Sequence, residues 1–260
     1  MLDVPQTATR ILLLGGTTEA SALARMLAGR HEFAAVLSLA GRTLSPKPAP
    51  IPTRMGGYGG VAGLASHSKR DGLGVMIDAT HPFAAAMSQN AAAACKQAGC
   101  ALIAIERPPW KPVAGDRWQR AADVASAIAA LGPEPRRVFM AIGRQQIALL
   151  EAHPQHSYVI RVIDPPEMPP KLPDFKLITA RGPFTVADDI ALMERERIEV
   201  IVAKNSGGEA AVAKLHAARA LAIPVMMVER PPVPERMTVA TAQAALDWLL
   251  GYHGRTKRGE

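Results

Sequence analysis

The sequence predicts an α/β fold of two Rossmann-like, doubly wound lobes with parallel sheets and a ligand cleft between them. Three observations lead there. Short blocks rich in Val, Ile and Leu alternate with longer Ala-rich segments, the pattern of strands buried on both faces and joined by helices. A glycine pair stands where the first such block ends, at Gly15-Gly16. The words that close two of the blocks also recur, Glu106-Arg107-Pro108-Pro109 and Glu229-Arg230-Pro231-Pro232.

In the first half the blocks are 10–14, 34–39, 51–55, 74–78 and 100–106, with helices expected at 18–29, 60–70 and 83–98. The right-handed crossover rule orders these strands 3-2-1-4-5 and opens a crevice above the carboxyl ends of the first and fourth. The second half repeats the plan. Segment 137–142 followed by Gly143 parallels the first strand and its glycine, 199–203 parallels 74–78, and 224–229 parallels 100–106, at nearly equal intervals. Ala-rich helices are expected at 121–131 and 241–250, after each repeated closing word, and another at 209–222. Pro-rich connections lie at 45–52 and 164–173. The lobes are expected to divide between 110 and 137, as a nucleotide-binding lobe over 1–112 and a substrate-binding lobe over 113–260.

Composition narrows the partners. Thirty Lys and Arg against 23 Asp and Glu leave a net charge of +7, a surface field that attracts anions. Aromatics are only 4% and the basic residues are dispersed, which argues against nucleic acid. No run approaches a membrane span, and Ile11–Leu14 is too short for a signal-peptide core, so a cytoplasmic protein is expected. Cys95 and Cys100 fit neither a CxxC pair nor a disulfide framework, and the histidines show no metal-ligand spacing. Reduced thiols and no metal are the expectation.

Gly15-Gly16-Thr17-Thr18-Glu19 sits at a strand-to-helix turn, where glycines let the backbone approach a pyrophosphate and the helix start attracts its charge. Thr17 and Thr18 would add hydroxyl donors. After the second strand no acid stands ready for a ribose; Ser38 and Arg42 offer a hydroxyl and a guanidinium suited to a phosphate instead. A charge-assisted bond of roughly 1.5–3 kcal/mol would favour NADPH over NADH by about 10- to 150-fold. Gly57, in the glycine-dense loop 54–60, and Thr80 and His81, after the fourth strand, should border the same crevice. His81, whose imidazole can exchange a proton, and Lys204 are the candidates for chemistry, but neither pattern commits a catalytic role. In the second half Lys204-Asn205-Ser206-Gly207 gathers cation, amide, hydroxyl and N–H donors before a helix, and Arg144 and Arg181 occupy similar turns; all suit carboxylates.

Taken together and in order, Ile11–Glu19, Asp78–Phe83, Ile142–Gln145, Arg161–Pro166, Ala180–Phe184 and Lys204–Gly208 resemble the precorrin-6A reductase family of cobalamin biosynthesis. The resemblance spans nearly the whole chain. It implies NADPH-dependent reduction of one double bond of a tetrapyrrole-derived macrocycle fringed with acetates and propionates, which suits a positively charged protein. It also implies transient contacts with neighbouring enzymes of the pathway. Extended conjugation can carry positive charge once the ring is protonated, so solvent is expected to serve as proton source. Two other classes share such a lobe: a two-lobed nucleotide-sugar transferase and an NADP-sensing regulator. Arg42 speaks against the transferase, which gains nothing from reading a 2′-phosphate.

Overall fold

The computed structural model describes residues 8–41 and 48–258. Two compact units emerge, one of residues 1–107 with 232–260, the other of residues 108–231.

The first unit starts with β1 (Thr9–Leu14), α1 (Thr18–Leu27), β2 (Phe33–Leu39), β3 (Thr53–Met55), α2 (Gly60–Arg70), β4 (Val75–Asp78), α3 (Ala85–Ala98) and β5 (Ala101–Ile105). Why β1 reads as an unbroken apolar run is visible in its packing. Ile11 and Leu13 join the cluster formed with α1, while Leu12 and Leu14 join the opposite cluster with Leu64 of α2 and Ala91 of α3. Successive strand residues face opposite ways, so a sheet covered on both sides has no polar positions to alternate with.

The second unit contains β6 (Trp118–Ala121), α4 (Val124–Ala129), β7 (Arg137–Ala141), β8 (Ser157–Val162), β9 (Phe175–Thr179), α5 (Val186–Arg195), β10 (Val200–Lys204), α6 (Ala213–Ala220) and β11 (Val225–Val228). The chain then returns to the first unit as β12 (Met237–Val239) and α7 (Ala242–Arg258).

The sheet orders are β12-β5-β4-β1-β2-β3 and β6-β11-β10-β7-β8-β9, with every pairing parallel. The expected 3-2-1-4-5 order is therefore present, extended by one strand. That strand draws the C-terminal segment into the first unit. Residues 232–260 belong with the first unit, because β12 pairs with β5 and the core of the first unit takes in Ala242, Ala245, Leu246 and Leu249 of α7. Reciprocally, β6 pairs with β11. The repeated Glu-Arg-Pro-Pro words mark both crossings: Glu106 N–H donates to Val239 and Glu229 N–H to Ala121, each at the point where the prolines that follow, lacking N–H groups, end the ladder. The chain changes unit at 107/108, just ahead of the stretch 110–137, and again at 231/232, well beyond it.

Several elements differ from expectation. The helix expected at 121–131 is shorter because Asp123 caps it, its carboxylate accepting from Ser126 N–H and Ser126 answering in a capping box. The expected helix 209–222 splits into a 3-10 turn at Glu209–Ala211 and α6. Elements β8, β9 and α5 were not assigned at all; Tyr158, Val159 and Ile160 of β8 are buried.

Candidate functional site

At the carboxyl end of β1 the glycine turn has the geometry of a nucleotide cradle. Gly15 N–H donates to the Ser38 carbonyl at 2.9 Å, and a Cβ on Gly15 would fall 2.5 Å from Leu37 Cδ1. A side chain at this position would have to push the Leu37 and Leu39 side chains aside. Gly16 has φ +124°, and a Cβ there would meet nothing within 4 Å, so its backbone faces open space at the start of α1. A pyrophosphate fits there: a helix amino end, a bare backbone and room.

Thr17 departs from its expected role. Its hydroxyl donates to the Ala79 carbonyl at 2.8 Å and accepts from Ala20 N–H, so it caps α1 and ties β1 to β4, leaving no proton for a phosphate. Thr18 is exposed and donates to Glu19 at 3.0 Å. Glu19 in turn pairs with Arg107 at 2.8 Å, joining α1 to the end of β5. Burial pushes the Glu19 carboxyl up, but its own backbone N–H, Arg107 and Thr18 outweigh that and hold it below the usual 4.5. A carboxyl depressed in the folded state stabilises above its unfolded pKa, and the contribution disappears as pH falls through the folded one. Urea midpoints for wild type and Glu19→Gln should thus converge as pH drops below about 4.5. Parallel curves from pH 7 to 3 would show that the pair adds nothing.

Ser38 is buried in β2 and accepts a hydrogen bond from the Tyr58 hydroxyl at 2.9 Å. Arg42 lies outside the described residues. The Gly57 loop is braced from within: Arg54 donates to the carbonyls of Gly56 and Gly57 and stacks over Tyr58 at 3.9 Å. Below the crevice Asp78 is 2% exposed and surrounded by donors. Thr80 reaches it through N–H at 3.1 Å and hydroxyl at 2.6 Å, Ser88 at 2.6 Å and Arg236 at 3.4 Å. Thr80 is thereby committed to Asp78. His81 Nδ1 accepts from Phe83 N–H at 3.2 Å, which places the ring proton of the neutral form on Nε2.

In the second unit the Lys204–Gly208 loop follows β10 as expected, with Asn205, Ser206 and Gly207 buried. Asn205, 4% exposed, spends its whole amide on Trp110: Oδ1 accepts from the Trp110 N–H at 2.8 Å and Nδ2 donates to its carbonyl at 3.1 Å. Asn205 thus braces the loop against the Trp110 backbone. Arg230 holds the carbonyls of Asn205 and Ser206 at 2.9 and 3.1 Å. Gly207 is in the left-handed region at φ +67°. Lys204 stands half-buried at the end of β10. Arg144 follows Gly143, at φ +90°, after β7, and Arg181 is exposed between β9 and α5; both occupy the strand-to-helix turns expected of them.

Sequence reasoning missed three cations, Arg54, Arg107 and Arg236. Arg107 lies inside a repeated word that marked topology, and Arg236 meets Asp78 and Glu106 only because β12 docks on β5. No local pattern signals that.

Residues 10–250 match the model of the family described as "Precorrin-6x reductase CbiJ/CobK". The chain belongs to the precorrin-6x reductase family. Among its relatives, the precorrin-6A reductase of Rhodobacter capsulatus is 55% identical over 96% of this chain and 99% of that protein. The precorrin-6A reductase of a Sinorhizobium species is 52% identical over 92% and 94%. A solved structure, "CobK precorrin-6A reductase", superposes with a TM-score of 0.89 at 54% identity, covering 95% of this chain and 97% of that one. A reductase of this family needs an electron donor, and a nicotinamide cofactor fits the turn after β1. No helix among the described residues is long and apolar enough to cross a membrane.

Proposed function

We infer that this chain reduces one double bond of precorrin-6A to give precorrin-6B in cobalamin biosynthesis, using NADPH. The observation that carries this reading is near full-length kinship with precorrin-6A reductases in both sequence and backbone. The glycine turn supports it independently, being the kind of cradle a dinucleotide needs. Nothing in the fold favours the sugar transferase or the sensor.

The bound cofactor supplies a hydride. The protein's share is holding and orienting. Gly15, Gly16 and the start of α1, with Thr18 beside them, receive the pyrophosphate, while Thr17 and the Glu19–Arg107 pair keep that turn in shape. Gly57, Thr80 and His81 border the crevice, with Thr80 acting through Asp78. Ser38 and Arg42 read the 2′-phosphate, Arg42 by its position after β2. In the second unit Lys204, Ser206, Gly207, Arg144 and Arg181 receive the acetates and propionates, with Asn205 and Arg230 keeping the loop rigid. The net charge of +7 draws the polyanionic macrocycle toward the protein. The enzyme works in the cytoplasm, passing its product on through transient contacts with neighbouring enzymes.

Cofactor choice is the sharpest test. Arg42→Ala should raise the KM for NADPH by about 10- to 150-fold and leave that for NADH nearly unchanged, measured by absorbance with precorrin-6A. An equal effect on both cofactors would remove Arg42 from phosphate recognition. Equal use of both by the unmodified enzyme would sink the NADPH reading itself.

A further inference from the structure

The two cysteines, five positions apart in sequence, are brought together by a helix end. Gly99, at φ +75° in the left-handed region, caps α3 with its N–H on the Cys95 carbonyl and turns the chain into β5. Cys95, in the last turn of α3, and Cys100, just before β5, then bring their sulfurs within 3.2 Å. A protein disulfide needs about 2.05 Å, so bond formation requires the sulfurs to close by roughly 1 Å. Neither thiol has a place in the reductase site described above.

We propose that Cys95 and Cys100 form a dithiol–disulfide modification site for low-molecular-weight disulfides, with Cys100 as the attacking thiol and Cys95 as the resolving one. The two positions differ in the way this requires. Cys100 is partly exposed, whereas Cys95 is 4% exposed among Leu64, Ala91 and Ala94. Cys95 can donate its S–H to a thiolate at Cys100. That hydrogen bond brings the Cys100 thiol down to about 7 against the opposing effect of burial, and with burial it pushes Cys95 up. The thiolate is the nucleophile, so attack begins at Cys100.

With oxidised glutathione the exchange balances as follows. The Cys100 thiolate attacks one glutathione sulfur, forming a mixed disulfide and releasing one glutathione thiolate, which takes up a proton. Cys95 then loses its proton and attacks the Cys100 sulfur, expelling the second glutathione as a thiol. Two protein thiols are oxidised, and one glutathione disulfide is reduced to two thiols.

The test incubates the full-length protein with oxidised glutathione, quenches with iodoacetamide under denaturing conditions and reads intact mass. Wild type should lose two hydrogens and carry neither glutathione nor alkyl groups. Cys95→Ala should trap one glutathione, and Cys100→Ala should react at least about tenfold more slowly. Wild-type protein also gives an answer that depends on no variant. Trypsin cuts after Lys96, so the two cysteines fall in separate peptides that stay joined only through a disulfide. A wild type that keeps two alkylatable thiols or holds a stable glutathione adduct overturns the proposal, as does Cys100→Ala reacting as fast as Cys95→Ala.

Discussion

Gly207→Ala is expected to cost about 3 kcal/mol or more of stability and to abolish most turnover. Two effects combine at this position. Its φ of +67° is one that a side chain strains, which alone costs about 1 kcal/mol. The added Cβ would also lie 2.2 Å from the Pro108 carbonyl oxygen and 2.7 Å from the Arg230 guanidinium. Arg230 can swing aside. The Pro108 carbonyl cannot, because two residues on the backbone of Trp110 is clamped by both ends of the Asn205 amide. Relief must then come from moving the Lys204–Gly208 loop, which disturbs the groups proposed to receive the substrate's carboxylates. Gly132→Ala is the control, with φ +82° in the same unit and nothing within 4 Å of its Cβ, so that it carries the strain without the collision. Urea unfolding of the two variants should differ by about 2 kcal/mol or more. Equal losses would mean that the loop yields freely and that its clamp is weak.

Arg161→Met should be as damaging, by about 3–5 kcal/mol, for a different reason. The Arg161 guanidinium lies between the rings of Phe139 and Phe184, 4.9 and 3.7 Å from their centroids, and engages both oxygens of Asp189. The two side chains are only 9% and 1% exposed. Methionine fills much of the same slot but leaves the Asp189 carboxylate buried without its partner. The Arg161→Met/Asp189→Leu double variant should regain most of the loss, since a buried pair replaced by apolar groups of similar volume is often neutral. If thermal or urea unfolding finds the double variant as unstable as the sum of its single changes, the cost comes from packing and not from the stranded charge.

Much of the first unit was legible because its information is local. The run Ile11–Leu14, the glycine pair and the cap Thr17 lie within a few residues of one another, and each does in the structure what strand, turn and helix start require. The partners of Thr17 are not local: β4 places the Ala79 carbonyl beside its hydroxyl. Nor are those of Asn205, whose amide bonds to a tryptophan backbone almost a hundred residues earlier. Segment 157–195 was harder. Pro-rich connections and the Arg161–Asp189 pair interrupt its apolar pattern, and periodicity gives no hint that Arg161 sits inside a core.

By itself, then, the sequence determined the α/β class, the internal repeat, the strand order of the first five strands and the family. All of these follow from periodicity, turn residues and short motifs, which act over a few residues and survive without knowledge of distant contacts. Only the tertiary structure decided that the first unit takes its sixth strand from beyond the second Glu-Arg-Pro-Pro crossing, that Arg236 reaches Asp78, and that two cysteines outside any familiar motif touch. The physical reason is that strand pairing and buried charge are settled between segments far apart in the chain. A short edge strand such as β12, with Met237 and Thr238 exposed, carries too little apolar pattern of its own to announce which sheet it will join.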